Sequence, residues 1–269
     1  MRIGNQTAFT AADWRAPFRF AQAHRFGAFE WFSDRHGPQG WEFASCDPGC
    51  RRALRTLGAS SRMVFTVHAP ADCDPSTSAG QESLLESLEF ACDVGASLVV
   101  LHLPVAERER AWVTALGESL GRAHRAGIRL ALENMVYTTP RDADRIFSDL
   151  WQRHGRDAPV GLCLDMGHAN LCPATRNDYV GFVDGLDPAV PIVHVHLHEN
   201  WGETDQHLVL FTGPLARDDS GLRALIARLK ARGYEGAFIF EQWPEPPDLL
   251  VMASERLGRL LEAMGGAGE

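Results

Sequence analysis

The feature of this sequence that most restricts its fold is a repeat in its hydrophobic pattern. Short runs rich in β-branched and aromatic residues alternate with longer stretches of helical periodicity, and the unit recurs roughly every 30 to 35 residues, the size of a βα unit. Eight runs qualify as strands by this pattern. The predicted strands are Arg2–Gln6, Gly27–Phe32, Met63–Ala69, Ser97–Leu103, Arg129–Asn134, Val160–Asp165, Ile192–His198 and Ala237–Glu241.

The stretches between these strands have the pattern of amphipathic helices. Apolar residues recur at helical spacing, as at Leu84 and Leu88 and at Leu222 and Leu225. No linker rich in proline, glycine or serine divides the chain, and eight βα units predict an α/β protein with a single (β/α)₈ TIM barrel over residues 1–269. A doubly wound open sheet usually carries a glycine-rich phosphate turn after its first strand, which this sequence lacks.

The composition narrows the choice of partners and of compartment. The chain has 26 Lys and Arg against 35 Asp and Glu, a net charge of −9, which argues against a surface that grips nucleic acid. The first residues lack the apolar run of a signal peptide, and no stretch reaches the roughly 18 to 20 apolar residues of a membrane span. We therefore expect a cytoplasmic protein without a membrane partner, with its six cysteines reduced.

The alternation within the predicted strands separates two sets of side chains. In a barrel, alternate residues of a strand point toward the helices and toward the interior. The first set is bulky and apolar, as Phe29 and Trp31 illustrate, whereas the second is smaller or polar and ends in an ionisable residue near the carboxyl end of seven strands. Those residues are Glu30, His68, His102, Glu133, Asp165, His196 and Glu241. Barrel enzymes place their chemistry on this face.

The convergence of four carboxylates and three imidazoles predicts a metal site. In one partly buried mouth these groups would repel and desolvate one another unless cations neutralised them. Imidazole with carboxylate and no thiolate fits Zn²⁺ best, with Mn²⁺ or Fe²⁺ as alternatives, and is too rich in nitrogen for Ca²⁺. Cys163 shares the inward parity two residues before Asp165, and we interpret it as filling the barrel.

Two further motifs extend the predicted site. Asp165-Met-Gly-His168 places a second imidazole just after the sixth strand, and Asp205-Gln-His207 lies in the long loop after the seventh. An Asp-x-His sequence in a polar loop is usually solvated surface. Both motifs nevertheless belong to loops on the same face as the strand-end residues, which favours a shared function.

Several motifs together resemble those of a known superfamily. Leu132-Glu-Asn134, the run from Cys163 to His168, the run from His194 to Asn200, Asp205-Gln-His207 and the run from Gly233 to Glu241 are similar to those of the xylose isomerase-like TIM barrels. That superfamily includes sugar phosphate isomerases and epimerases and the endonuclease IV group, or AP endonuclease family 2. The similarity extends over nearly the whole chain, so it implies one such domain over residues 1–269 but no particular reaction.

The resemblance to endonuclease IV implies two or three zinc ions with nine protein ligands. His68, His102 and Glu133 would hold the first ion; Glu133, Asp165, His196 and Glu241 the second; His168, Asp205 and His207 the third. All nine positions carry the expected residue types. The simpler isomerases resemble only the second of these sets, so the additional ligands favour the multinuclear alternative.

Two catalytic hypotheses remain open at this point. The first is hydrolysis of a phosphoester or similar bond in a small, sugar-like substrate, with Glu133 or Glu241 as a base. The alternative is a single-metal sugar or sugar phosphate isomerase or epimerase, in which the same glutamates move a proton through an enediol and His168 contacts the substrate. Ketose epimerases of the superfamily carry an arginine shortly after the seventh-strand histidine, and this chain has none there.

Other functions and the substrate contacts are less constrained by the sequence. Cleavage of abasic DNA would use the same metals, but only Arg35 and Trp41 suggest it, and a metal-binding or sugar-binding scaffold without catalysis is a further alternative. Aromatic residues near strand ends could stack on a sugar ring. The predicted substrate contacts are His198, Trp201, Trp243 and Asn134. The oligomeric state stays open.

Overall fold

Eight parallel strands form a closed barrel in which neighbours follow chain order and the last strand pairs with the first. The computed structural model describes residues 1–8, 10–11, 13–33 and 41–265. The strands are β1 Arg2–Gln6, β2 Ala28–Phe32, β3 Val64–His68, β4 Leu98–His102, β5 Arg129–Glu133, β6 Val160–Asp165, β7 Ile192–Leu197 and β8 Ala237–Phe240. The predicted (β/α)₈ TIM barrel is therefore confirmed.

Helices connect the strands on the outside of the barrel. They are α1 Arg15–Ala23, α2 Pro48–Ser61, α3 Ser78–Val94, α4 Glu109–Ala115, α5 Gly117–Ala126, α6 Pro140–His154, α7 Met166–Leu171, α8 Tyr179–Asp184, α9 Ser220–Ala231 and α10 Asp248–Gly265. Asp47, Thr77 and Thr139 begin their helices as N-caps, because each side chain accepts a hydrogen bond from a backbone N–H of the first turn. None of the helices within the described ranges is sufficiently long and apolar to cross a membrane.

The two faces of the strands are buried in different ways. Phe29, Trp31 and Leu132 pack under the helices in the main core. Smaller residues fill the barrel interior, among them Val100 and Cys163, which are fully buried inside it. The period-two assignment of the strands and the role of Cys163 are thus as predicted, because adjacent residues of a strand must face opposite sides of the sheet.

The register of the barrel brings the ionisable strand ends to one level. His102 pairs with Glu133 between β4 and β5, and Asp165 pairs with His196 between β6 and β7. Several predicted strands were one residue too long, since β7 ends at Leu197 and β8 at Phe240. The next residue after β8 is Glu241, which therefore belongs to the loop face of the barrel.

Candidate metal centre

Glu133, the last residue of β5, lies at the centre of the barrel mouth and is fully buried. Its Oε2 is 3.0 Å from His68 Nε2, 3.4 Å from His196 Nδ1 and 3.7 Å from His102 Nε2, and its Oε1 is 3.4 Å from His168 Nδ1. Burial disfavours the charged carboxylate, but the imidazoles of His196 and His102 outweigh it and hold the pKa of Glu133 well below its usual value.

Four residues around this carboxylate form what we term the central group. It comprises His68, Glu133, His196 and Glu241, whose potential ligand atoms all lie within 4.8 Å of one another. His196 Nδ1 is 3.0 Å from Glu241 Oε1, which also accepts a hydrogen bond from Gln6 Nε2 at 3.1 Å. The predicted ligand His102 stands at the edge of this group, with its side chain 21% exposed.

A second set of four residues forms the loop group beside it. It comprises His168, His198, Asp205 and His207, again with their potential ligand atoms within 4.8 Å of one another. Asp205 Oδ2 is 3.2 Å from His168 Nε2 and 3.1 Å from His207 Nε2. His198 Nδ1 lies 3.7 Å from Asp205 Oδ1. The sequence placed three of these residues together and treated His198 separately, as a substrate contact.

Asp165 connects the two groups. It is the N-cap of α7, where its Oδ1 accepts a hydrogen bond from the backbone N–H of His168 at 2.6 Å. One triad of possible ligands joins Asp165 to Glu133 and His168, and a second joins it to His198 and Glu241. Burial opposes its charge, but His168 and His198 lower the pKa of Asp165 below its usual value. Possible ligand atoms are therefore closely spaced across the barrel mouth, from the central group through Asp165 to the loop group.

Asn134 follows Glu133 and holds Asp165 in place. Its Nδ2 donates to the Asp165 carbonyl at 3.0 Å, and its Oδ1 accepts from the Asp165 backbone N–H at 2.9 Å. Asn134 is fully buried. Both ends of its side chain are engaged by the backbone of Asp165, so Asn134 positions Asp165. Its contact with substrate stays a prediction.

The histidine rings are oriented as metal ligands usually are. His68, His102 and His168 each place Nδ1 against a backbone carbonyl oxygen, at 2.6, 3.1 and 2.9 Å respectively. A donor bond from Nδ1–H fixes the tautomer and leaves the Nε2 lone pair directed into the mouth. In all three rings Nε2 therefore faces a carboxylate, to which it donates when it carries a proton and beside which it can bind an ion when it does not.

The residues present fit divalent cations. Among the described residues, His196 Nδ1, His198 Nδ1 and Glu241 Oε2 are buried atoms that make no hydrogen bond. Leaving such atoms desolvated and unbonded is costly, and a cation would compensate for it. Imidazole nitrogen with carboxylate oxygen, and without thiolate, is the donor set of Zn²⁺, Mn²⁺ or Fe²⁺.

Protons and metal ions compete for this site. Four of its histidines have pKa values above the usual one although burial favours their neutral form; they are His68, His168, His196 and His207. Burial lowers the pKa of His207, but Asp205 and Glu241 together outweigh it and raise that pKa to about 9. At His102 burial prevails over the attraction of Glu133 and lowers the pKa to about 4. The carboxylates therefore hold protons on neighbouring rings, which a bound cation would replace.

The sequence matches a known family over most of its length. Residues 18–260 match the model of the family described as xylose isomerase-like TIM barrel. The chain belongs to this family. Members of the family are enzymes, among them epimerases and isomerases.

Individual proteins resemble this chain in sequence or in fold. An uncharacterised protein of Methanocaldococcus jannaschii is 28% identical, in a match that covers 70% of this chain and 67% of that protein. A D-tagatose 3-epimerase-like protein has a crystal structure with a TM-score of 0.75 and 23% identity, covering 98% of both chains. A Thermus thermophilus protein, in a structure soaked with ZnCl₂, has a TM-score of 0.69 and 22% identity, covering 96% of this chain and 99% of that one. These structural likenesses establish the fold alone.

Below the candidate metal centre of this family member lies a contact that the sequence did not assign. Glu30 is fully buried between two histidines, with its Oε1 2.9 Å from His196 Nε2 and its Oε2 2.9 Å from His194 Nε2. Thr66 Oγ1 donates to the same Oε2 at 2.9 Å. The inward parity placed Glu30 in the mouth, but only the packing shows that it supports His196 from beneath.

The two predicted aromatic contacts have different surroundings. Trp201 is 48% exposed in the loop after β7, and the guanidinium of Arg217 lies 5.6 Å from the centroid of its ring. Trp243 is half-buried, packs edge to face on Phe20 at 5.3 Å, and hydrogen-bonds to Thr10 through its backbone N–H and carbonyl. Trp201 is thus available to a ligand, whereas much of Trp243 is committed to packing.

A cavity of about 390 Å³ adjoins the loop group. Its lining includes Asn170, Tyr179, Asn200, Trp201 and His198, so amides, a hydroxyl and an aromatic ring face one space. Cavities of this size with a few polar groups are typical of small-molecule sites. The cavity lies between the segments that follow β6 and β7.

Of the two residues that suggested DNA binding, Arg35 and Trp41, the structure describes only Trp41. Arg35 lies outside the described residues. Trp41 is buried in an aromatic cluster, stacked on Trp14 at 5.3 Å and packed edge to face on Phe43 at 5.5 Å. The ring of Trp41 is therefore part of the core and offers no exposed surface to DNA.

Proposed function

We propose that the protein is a divalent-metal-dependent hydrolase that binds more than one ion and cleaves a phosphoester or similar bond in a small, sugar-like substrate. The observation that carries this proposal is the presence of two ligand groups that share no residue: the central group, which is buried, and the loop group, which is exposed at Asp205 and partly exposed at His207. A single-ion enzyme requires only one such group. Zn²⁺ is the ion we expect, with Mn²⁺ or Fe²⁺ as alternatives.

The proposed reaction would depend on three residues, Glu133, Glu241 and His168. When bound, divalent ions acidify water and stabilise negative charge on the substrate oxygens. Glu241 is suited to accept the proton of the attacking water, since Gln6 Nε2 holds its Oε1 while its Oε2 makes no hydrogen bond. Glu133 and His168, 3.4 Å apart, would hold ions and keep the substrate oriented between the two groups.

The surroundings of the site support a small, hydroxylated substrate. The cavity beside His198 offers amide and hydroxyl groups together with the exposed ring of Trp201. One protein with the same fold is named for similarity to D-tagatose 3-epimerase, and a sugar substrate is consistent with that name. The net charge of −9 keeps nucleic acid disfavoured, and we retain the cytoplasmic location as a prediction.

Single-ion isomerisation or epimerisation is the second candidate, because one observation favours it. Glu133 and Glu241 approach the same nitrogen of His196, at 3.4 and 3.0 Å. Two glutamates about one centre are what proton transfer through an enediol requires. In that case the central group would hold the ion, and His168 would contact the substrate.

Metal content and an assay panel test the proposal together. Protein purified without chelator would be analysed for Zn, Mn and Fe, then assayed for phosphate release from phosphorylated sugars and for deuterium uptake from solvent into ketoses. Two or more ions per chain with phosphate release are expected. One ion at saturation with deuterium uptake would reject hydrolysis in favour of isomerisation, and a metal-loaded protein inactive in both assays would indicate a binding scaffold.

A further inference from the structure

We propose that the cavity between the first residues of α8 and α9 is a binding site for an uncharged, hydroxyl-rich ring, the end of the substrate remote from the metal ions. The inference rests on the proposed function only in assuming that one molecule reaches both places. His198 belongs to the loop group and also lines this cavity, so the two sites share a residue. The substrate would then carry its charged group at the ions and its free hydroxyls in the cavity.

Asn200 joins the two loops that enclose the cavity. Its Oδ1 accepts hydrogen bonds from Asn170 Nδ2 at 2.9 Å and from the backbone N–H of Gly202 at 3.0 Å, and its Nδ2 donates to the Gly167 carbonyl at 2.9 Å. Asn200 is buried. The residues after β6 are thus tied to those after β7, which gives the cavity a defined shape before any ligand binds.

Three carboxylates line the cavity, those of Asp178, Glu199 and Asp218, and none of its described lining residues is Lys or Arg. Asp178 Oδ1 accepts from the backbone N–H of Gly181 at 2.7 Å, and Asp218 Oδ1 accepts from that of Ser220 at 2.9 Å. These bonds fix the direction of both carboxylates but do not remove their charge. Since an ionised carboxylate only accepts hydrogen bonds, a ligand in this cavity must supply the donors.

The hydroxyl of Tyr179 stands among these carboxylates. Burial raises the pKa of Tyr179, and the three carboxylates of the cavity raise it further. Its Oη makes no hydrogen bond within the described part of the chain. A Cβ atom at Gly221 would lie 2.5 Å from this oxygen, so the absence of a side chain there leaves the hydroxyl its place. Tyr179 can therefore bond to a ligand, and it does so in a negative potential.

A phosphate group does not fit this lining. Its oxygens are acceptors and carry negative charge, so they would face carboxylates that offer neither a donor nor a countercharge. The guanidinium of Arg217 lies over the ring of Trp201, 5.6 Å from its centroid, and Arg217 is not among the residues that line the cavity. The cavity therefore favours an uncharged group over a second phosphate.

Trp201 and the spacing of the acceptors favour a ring with several hydroxyls. The exposed ring of Trp201 offers an apolar surface on which the C–H face of a sugar can stack. Asp178 precedes α8 and Asp218 precedes α9, so the acceptors belong to separate segments. Hydroxyls around a ring can reach both, whereas an ammonium group brings all its donors to one point.

Titration of the full chain with D-glucose, D-fructose and D-ribose, in Zn²⁺ and in EDTA, tests the proposal by tryptophan fluorescence and calorimetry. At least one sugar should bind with similar affinity in both states, because the cavity needs no ion. Excess inorganic phosphate should not displace it. The fluorescence change should be lost in Trp201→Phe and kept in Trp151→Phe, a control on α6 whose ring also has a guanidinium over it, that of Arg156 at 4.7 Å.

Two variants that each change one polar group assign the binding to the cavity. Tyr179→Phe and Asp218→Asn should each weaken sugar binding roughly tenfold, as loss of one hydrogen bond does. Asp187→Asn is the matched control and should bind as the unaltered protein does. Asp187 Oδ1 accepts from the backbone N–H of Ala189, as Asp218 Oδ1 does from Ser220, but Asp187 lies before β7, at the opposite end of the barrel.

Several results would overturn the proposal. Sugar binding that is lost in EDTA would place the sugar at the metal ions, and displacement by phosphate would show that the cavity accepts an anion. D-glucosamine binding at least roughly tenfold more tightly than D-glucose would show recognition of a cation instead. Absence of sugar binding, or equal binding by Tyr179→Phe, Asp218→Asn and Asp187→Asn, would also refute it. Sugar binding that survives EDTA, in a protein that releases no phosphate from phosphorylated sugars, would uphold this inference and reject the proposed reaction.

Discussion

The imidazole rings of His198 and His207 stack face to face, with centroids 3.9 Å apart. Asp205 lies at one end of the stack, 3.7 Å from His198 Nδ1 and 3.1 Å from His207 Nε2. Glu241 lies at the other end, where its Oε2 is 3.5 Å from His198 Nε2 and 3.7 Å from His207 Nδ1. Two stacked rings between two carboxylates can exchange protons for metal ions, which makes the charge state of the mouth depend on pH and metal.

Removal of metal should destabilise the protein. An ion that binds only the folded state adds about 2.7 kcal/mol of stability when its free concentration is about a hundred times Kd. We expect EDTA-treated protein to melt at a lower temperature than protein with Zn²⁺, as measured by differential scanning calorimetry. Equal melting temperatures in Zn²⁺ and in EDTA would mean that the mouth binds no ion in the folded state.

Metal uptake should release protons, and the affinity should rise with pH. The pKa of His207 is raised from 6.5 to about 9, so at pH 7 its ring carries a proton that a metal ion must displace. Calorimetric titration with Zn²⁺ in buffers of different ionisation enthalpy would measure that release. Because His207 holds its proton only below about pH 9, we expect metal binding to release fewer protons as the pH approaches 9. Proton release that is independent of pH would contradict this.

The stability of the metal-free protein should have the corresponding pH dependence. Since the pKa of His207 is higher in the folded state, its ion pairs contribute fully below about pH 6.5 and are lost as the pH rises through about 9. The urea midpoint of metal-free protein should therefore fall between these values, and Zn²⁺ should reduce the fall. A midpoint that rises over this range would be inconsistent with protonated rings in the mouth.

Replacing Glu241 by Gln should lower turnover roughly a hundredfold to ten-thousandfold, the usual contribution of a positioned acid or base. The amide keeps the size of the side chain but cannot accept the proton. Glu235→Gln is the control, since Glu235 is exposed just before β8, at the opposite end of the barrel. Steady-state kinetics at saturating metal would compare the two, and equal turnover would assign Glu241 to metal binding or structure alone.

Replacing Asn134 by Ala should weaken the site through Asp165. The substitution leaves a buried backbone N–H and a carbonyl of Asp165 without their partner, at a cost of about 1 to 3 kcal/mol for each unsatisfied group. Metal affinity should fall roughly tenfold or more, because the carboxylate of Asp165 loses its support. Unchanged affinity and melting temperature would show that Asp165 is held by other contacts.

Much of the barrel mouth could be predicted because strand geometry is local. Successive side chains of a strand face opposite sides, so Glu133 and His196 had to share a direction whatever the neighbouring strands were. The roles of Asn134 and Glu30 could not be predicted in this way. Asn134 binds the backbone of Asp165 on the next strand, and Glu30 contacts His194 and His196 across the barrel. Such contacts depend on register and depth, which no local pattern encodes.

The sequence alone determined that eight βα units close into a barrel and that carboxylates and imidazoles end its strands on one face. Only the tertiary structure decided which imidazole nitrogen contacts which carboxylate oxygen. The ring of His198, a predicted substrate contact, lies within the loop group because it fills the space left by Gly167 and stacks on His207. Periodicity sets the side of a strand on which a residue lies, whereas the direction of a ring depends on packing between segments distant in the chain.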